Sequence, residues 1–366
     1  MSEGVTLSVC MIVRDESPVL ARCLDGVRVF ADEIIIVDTG SVDDTKQIAR
    51  RYTDRVYDFP WIDDFSAARN VSYSYASKDY VMWLDADDVV SPADAEELKA
   101  LKKTLPRETD VVYLLYGGET DQKNIMNNMV LFRDRWMRRS LNPRWQGRLH
   151  EFIPCPPEAV RYFADRIRIL HCKVRVNDPD RNMRIHRLCM AEQKEPPVRD
   201  LSFLCNEYFG QERYSDAVSL FNELTARDPF PRHEVCFALL AYIQSMKALK
   251  KTDELIGRLL SLRENGIENE MLLCELGAAC LARNQLEEAE HWLLETLRTP
   301  VDYRDMMIHF EAYREFIPCQ KLSKLYMLLG KEELAYQFFT RAEKIYPENR
   351  SIRVNRLYFA SRHAPA

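Results

Sequence analysis

Several patterns are missing from this 366-residue sequence, and each absence removes a class of function. No two of the ten cysteines stand at C-x-x-C spacing, so a zinc site is not expected. No window approaches the ~20 uninterrupted apolar residues that a membrane helix needs, so no transmembrane segment is expected either. The first residues, MSEGVTLSVC, carry neither a basic segment nor a long apolar core and do not read as a secretory signal. There is no GxxxxGK[ST] loop, so phosphate is not held as in nucleoside triphosphatases. An excess of positive charge is absent too: the formal net charge is -6 and the sequence pI is near 5.8, which argues against general nucleic-acid binding. Two local basic stretches, residues 133–139 (RDRWMRR) and 161–175, read as solvated faces. Cysteines such as Cys10, Cys236, Cys274 and Cys280 lie inside apolar patterns, as reduced core residues of a cytoplasmic protein would.

What is present reads as two domains, because the chain is longer than one compact core supports. Residues 1–176 alternate short apolar runs with helical patterns, as βα units do. LSVCMIV (Leu7–Val13) and EIIIVD (Glu33–Asp38) read as buried strands, with a helix over SPVLARCLDGV between them. After the second strand, Gly40 makes a turn, Ser41 is the expected N-cap with Asp44 as its partner, and TKQIARRY continues as helix. RVYDF, DYVMWLD and DVVYLLY follow as strands, and FSAARNVSYSYA as a helix. Residues 177–200 form a polar helical connector.

Residues 201–366 are helical throughout and repeat. Ala217, Phe221, Leu224 and Pro229 recur as Ala335, Phe339, Ala342 and Pro347, and again as Ala289, Leu293, Thr296 and Pro300. A degenerate copy spans residues 235–262. These units resemble tetratricopeptide repeats, in which a small residue lets paired helices approach and a proline ends the second one.

In an open α/β sheet, ligands sit outside the carboxyl ends of the strands. Here those ends are acidic. The first strand runs into Arg14, Asp15 and Glu16, the second ends in Asp38, and WLDADD places Asp85, Asp87 and Asp88 directly after buried Leu84. Such carboxylates repel one another and are costly to desolvate, unless a cation joins them. Asp85 and Asp87, at i, i+2, can be brought to one ion. Their hard oxygens favour Mn²⁺ or Mg²⁺, which commonly bridge carboxylates to phosphate.

SVCMIVRDES, EIIIVDTGSVDDT, ARN and WLDADD, in that order, resemble the N-terminal half of a family 2 glycosyltransferase with the Rossmann-like GT-A fold. DADD fills the place of that family's DXD motif. The resemblance implies a mixed-sheet GT-A domain that binds a nucleotide sugar, followed by the all-α repeat domain. It also implies that Asp38 contacts the base, that Val13, Arg14 and Glu16 wall the nucleoside, and that Arg69 lies near the diphosphate. Asp85, Ala86 and Asp87 would hold the metal–diphosphate unit. Further on, RWQGRLHEFI (residues 144–153) and RILHCKV (residues 168–174) resemble elements of a narrower subgroup, that of sublancin-type peptide S-glycosyltransferases and lipopolysaccharide-core glucosyltransferases. From that likeness come Trp145 as a sugar-stacking candidate, His171 as the third metal ligand beside Asp85 and Asp87, and Glu151 or His150 as general base. The family's Gln-x-x-Arg-Trp element is missing, which leaves the base open between those two.

The implied reaction is a metal-dependent, inverting transfer from a nucleoside diphosphate donor, with UDP as the base-rate choice. The repeats favour a peptide or protein acceptor. Two alternatives stand beside this: a glycan acceptor with repeats that form a homodimer, and a catalytically silent scaffold. The polar segment of residues 117–128 is expected to line the acceptor.

Overall fold

The computed structural model describes residues 4–118, 128–172, 178, 180–192, 195–305 and 307–360. Most of the segment expected to line the acceptor therefore lies outside the described residues. The chain divides into two compact units, residues 1–117 with 131–196, and residues 118–130 with 197–366.

The first unit begins with β1 (Leu7–Val13), α1 (Leu20–Val27), β2 (Glu33–Asp38), α2 (Thr45–Ala49), β3 (Val56–Asp58), α3 (Phe65–Ser74) and β4 (Tyr80–Trp83). It continues with β5 (Asp88–Val90), α4 (Pro92–Thr104), β6 (Val111–Gly118), β7 (Met129–Arg138), β8 (Arg161–His171) and α5 (Arg181–Glu192). The sheet order is β3-β2-β1-β4-β7-β6-β8-β5. β1, β2, β3 and β4 are parallel, whereas β7 runs antiparallel to β4 and β5 antiparallel to β8, so the sheet is mixed. Leu7, Val9, Met11 and Ile36 are buried with Leu20, Leu24 and Leu98 of the covering helices. Each such side chain contributes about 1.5–3 kcal/mol by leaving water.

Register brings the acidic strand ends together. Val13 lies opposite Asp38, and Cys10 opposite Trp83, so β1, β2 and β4 finish along one edge. α3 delivers Arg69 to the same region. Its start is fixed by Asp64, whose carboxylate accepts from the Ala67 N–H at 2.9 Å.

Two local readings are corrected. Ser41 is not the N-cap of α2: its hydroxyl accepts from the Asp15 N–H, and Asp44 occupies the cap position. The nearer carboxylate of Asp43 takes the N–H of Thr45 instead, and α2 stops at Ala49. Residues 133–139 are not a solvated face. They lie in β7 and the short turn after it, and Arg135 there is wholly inaccessible to solvent, because Asp88 neutralises its charge at 3.1 Å. Residues 161–171 form β8, with Arg161 and Arg166 exposed between buried Ala164, Ile167 and Ile169.

The second unit is a series of helical hairpins: α6 (Val198–Gly210) with α7 (Tyr214–Thr225), α8 (Arg232–Ala248) with α9 (Thr252–Glu264), and α10 (Glu270–Ala282) with α11 (Leu286–Arg298). After a two-residue strand β9 (His309–Phe310) come α12 (Ile317–Leu328) with α13 (Glu332–Ile345), and then α14 (Arg350–Ala360). Ala217, Ala289 and Ala335 are fully buried, as the repeat pattern requires. Close approach is visible at Gly277 of α10, where an added Cβ would lie 2.8 Å from Leu293 Cγ of α11. Pro229, Pro300 and Pro347 each follow the end of a second helix.

Candidate active site

The centre of the site is Arg69. Its Nε donates to Glu151 Oε1 at 2.6 Å and its Nη2 to Asp85 Oδ1 at 2.8 Å, so one guanidinium joins two predicted site carboxylates. The plane of that guanidinium is set by two indoles, with the Trp83 and Trp145 ring centroids each 5.0 Å from Arg69 Cζ. Burial opposes ionisation of Asp85, but the charge and hydrogen bond of Arg69 together with the charges of Arg135 and His171 hold the carboxyl below its usual range. Burial also works against the Arg69 charge, and the two carboxylates more than offset it.

A second cluster adjoins the first. Antiparallel register sets Asp88 of β5 opposite His171 of β8. His171 Nδ1 consequently lies 3.4 Å from Asp88 Oδ1 and 3.5 Å from Asp87 Oδ1. Asp87 is pushed up by burial and by the charges of Asp85 and Asp88, with His171 opposing. Burial would lower His171, but its hydrogen bond with Asp88 and the charges of Asp87, Asp88 and Asp85 raise it.

These side chains fit a hard divalent cation. Asp87, Asp88 and His171 each present one ligand atom, all within 4.8 Å of one another. Oxygen donors with one imidazole suit Mn²⁺ or Mg²⁺. Asp85, adjacent in sequence, is turned to Arg69.

The sequence pointed to Asp88 only as one of the strand-end carboxylates, with no role of its own, and to Arg135 only as part of a basic stretch. Asp88 is fully buried, and its Oδ2 both pairs with Arg135 Nη1 at 3.1 Å and accepts from the Asp85 N–H at 3.2 Å. Arg135 lies over the Trp83 ring at 3.8 Å and the Tyr116 ring at 4.6 Å. The available signal was weak: the third Asp of DADD, and an arginine bracketed by Phe132 and Trp136.

On the nucleoside side, Asp38 is buried, and its Oδ1 accepts from the N–H groups of Gly40 and Ser41 at 2.9 and 2.8 Å. Its Oδ2 is buried with no hydrogen-bond partner. Val13 is buried beside it in register, Arg14 is exposed and Glu16 half-buried. The turn between them is held by Asp15, at φ 52°, whose carboxylate accepts from the Val42 N–H.

The remaining predicted residues are placed as follows. Ala86 is buried between the two aspartates. Trp145 is buried among Arg69, Tyr73 and Trp83, with ring centroids 5.8 Å from Tyr73 and 5.5 Å from Trp83. His150, at φ 53°, sits beside His186, whose pKa burial pushes down to about 4.

The family profile described as "Glycosyl transferase family 2" matches residues 8–165, the segment that carries all of these side chains except His171. This segment belongs to glycosyl transferase family 2. Over 149 residues the chain is 35% identical to a TPR repeat-containing protein of Synechococcus elongatus, covering 40% of this chain and 35% of that protein. Over 112 residues it is 31% identical to the SPbeta prophage-derived glycosyltransferase SunS of Bacillus subtilis, covering 28% of this chain and 25% of SunS. An uncharacterized glycosyltransferase of Rickettsia conorii is 29% identical over 128 residues, covering 34% of this chain and 45% of that one. The matched segment thus spans less than half the length of each of these relatives. Among solved structures, Staphylococcus aureus TarS aligns at a TM-score of 0.36 and 15% identity, over 66% of this chain and 49% of that one. Glucosyl-3-phosphoglycerate synthase from Mycobacterium tuberculosis, solved with Mn²⁺ and UDP-glucose, aligns at a TM-score of 0.27 and 25% identity, over 31% and 44%.

Proposed function

We propose that the protein is a metal-dependent, inverting glycosyltransferase that moves a sugar from a nucleoside diphosphate donor, UDP first among them, to a peptide or protein acceptor. The observation that carries this reading is the Arg69 bridge between Glu151 and Asp85, built beside Asp87 and His171 on the acidic edge of the sheet. A scaffold has no use for buried carboxylates gathered there at the expense of desolvation.

Asp38 offers its unpartnered Oδ2 as an acceptor, which suits the imide N–H of a uracil. Val13, Arg14 and Glu16 wall that nucleoside, with Ala86 leaving room between the aspartates. Asp87 and His171, with Asp88 in reach of the same ion and Asp85 adjoining them on Arg69, would hold a divalent ion, which when bound supplies neutralisation of the leaving diphosphate's charge. Arg69 adds a fixed positive charge beside the same phosphates, and Trp83 and Trp145 keep its plane in place. Arg69 grips Glu151 through Oε1, so the other oxygen is oriented to take the acceptor's proton. Attack from the face opposite the leaving group inverts the anomeric centre. Glu151 is preferred over His150 as base, since Arg69 ties it to Asp85. Trp145, enclosed on its faces, serves as a clamp for Arg69. The hairpin repeats support a polypeptide acceptor. All ten cysteines are free thiols and no described helix is long and apolar enough to cross a membrane, which supports a cytoplasmic location.

The test is hydrolysis of a panel of nucleotide sugars without acceptor. Slow, Mn²⁺- or Mg²⁺-dependent release of UDP from a UDP-sugar is expected, and its loss in Asp87→Ala. Hydrolysis of none of the panel, or hydrolysis indifferent to metal, would overturn the reading.

A further inference from the structure

One hairpin of the second unit departs from the others at a single position. Ala217, Ala289 and Ala335 occupy the buried crossing point of the first, third and fourth hairpins, whereas the second has Leu255, followed at the same spacing by Leu259 and Leu262. A leucine there is too large for close approach, and α9 packs more loosely on α8 than the partners of the other hairpins do on each other. The result is a cavity of about 650 Å³ between α7 and α9, with Tyr242 and Met246 of α8 in its lining. That size lies within the ~300–1,000 Å³ of small-ligand and side-chain pockets.

Two features of its wall point to an occupant. Gly257 stands in the interior of α9, where glycine is the least favourable residue after proline. A Cβ at that position would meet nothing within 4 Å, so packing does not require the glycine; it leaves the cavity open. Arg258, next in sequence, has a buried Nε with no hydrogen-bond partner, while its Nη2 reaches the Thr225 hydroxyl. Among the described residues no carboxylate pairs with it. The other charged residue of the wall, Glu254, is already matched by Lys251 Nζ at 3.1 Å. The groove therefore combines an apolar floor with one guanidinium that no carboxylate of the described residues neutralises.

We propose that this groove binds an acidic segment of a polypeptide. A carboxylate of the segment pairs with the Arg258 guanidinium, a neighbouring apolar side chain rests on Tyr242 and Met246, and Asn222 and Ser261 are at hand for its backbone. The inference rests on the reading that the acceptor is a polypeptide, and it names the chemistry by which the repeats recognise it.

The experiment probes an array of synthetic peptides with the full chain, each Asp/Glu-containing sequence set beside its Asn/Gln counterpart. The strongest binder, labelled with fluorescein, is then titrated by anisotropy against the natural chain, Arg258→Gln and Gly257→Leu. Leucine at 257 fills the groove while improving helix propensity, so its thermal midpoint is expected to hold or rise. Acidic peptides are expected to bind, their amide counterparts at least about tenfold more weakly, and both variants to lose about tenfold or more. Acceptor-free nucleotide-sugar hydrolysis should stay intact in both variants. Absence of acidic preference, or undiminished binding in either variant, overturns the docking site and leaves the enzyme reading standing. Absence of hydrolysis in the natural chain strikes the enzyme reading instead.

Discussion

Asp88 reaches both arms of the proposed cation site through one buried carboxylate: it accepts from the Asp85 backbone and faces His171. Arg135 pins it from behind. Asp88, itself one of the three groups that could hold the ion, and Arg135 behind it therefore act at the cation site rather than on substrate. Replacing Arg135 by Met would leave Asp88 buried without its counter-charge, a loss of the kind that costs about 3–5 kcal/mol when one partner of a buried pair is removed. Asp88→Asn is the milder change, since it keeps the shape. It is expected to weaken Mn²⁺ binding about 10–100-fold, read by electron paramagnetic resonance of free Mn²⁺, with little change in thermal midpoint. Unaltered Mn²⁺ affinity in a folded Asp88→Asn chain would remove Asp88 from the cation site. The gathering of carboxylates at this edge was legible in the sequence because strand-end carboxylates have no structural reason to cluster. Arg135 was not, because a charged residue reads as solvated unless its counter-ion, here 47 positions away in sequence, is known to face it.

Among elements, parallel strands were the easiest to read. β1, β2 and β4 are continuous apolar runs, as strands covered on both faces must be. β5, at three residues, and β7 and β8, with charged residues along their length, carry no such signature. Their pairing with distant partners decides them instead. The helical hairpins were legible from their small-residue spacing, yet the fourth-to-seventh offsets alone hid the consequence of Leu255. β9 shows another tertiary effect. His309 is buried, with Nδ1 3.1 Å from Glu270 Oε1 and Nε2 3.0 Å from Asp305 Oδ1. Burial alone would lower its pKa, but the two carboxylates hold it at about 9. A folded-state pKa above the ordinary ~6.5 means that this stabilisation is complete below pH ~6.5 and is lost as pH rises through about 9. The thermal midpoint of the natural chain is expected to fall between pH 6.5 and 9.5, reflecting up to about 3 kcal/mol. His309→Gln should be less stable at pH 6.5 and show a flatter profile over that range. An equally steep profile in the variant would show that His309 does not carry the effect.

At the scale of the molecule, the sequence changes character between an α/β segment and a helical one; the second compact unit takes residues 197–366 but also residues 118–130 of the α/β segment. The family 2 match, residues 8–165, falls on the α/β segment and stops before the helical hairpins. The account as a whole depends on the aspartates after β4 joining a divalent ion to a sugar nucleotide. Calorimetric titration of the full chain with UDP, in Mn²⁺ and in EDTA, tests that most directly, repeated with Asp87→Ala. UDP is expected to bind in Mn²⁺, at least about tenfold more weakly in EDTA, and with the same loss in the variant even when Mn²⁺ is present. Equal binding of UDP with and without the ion, or by natural and variant chains alike, would contradict it.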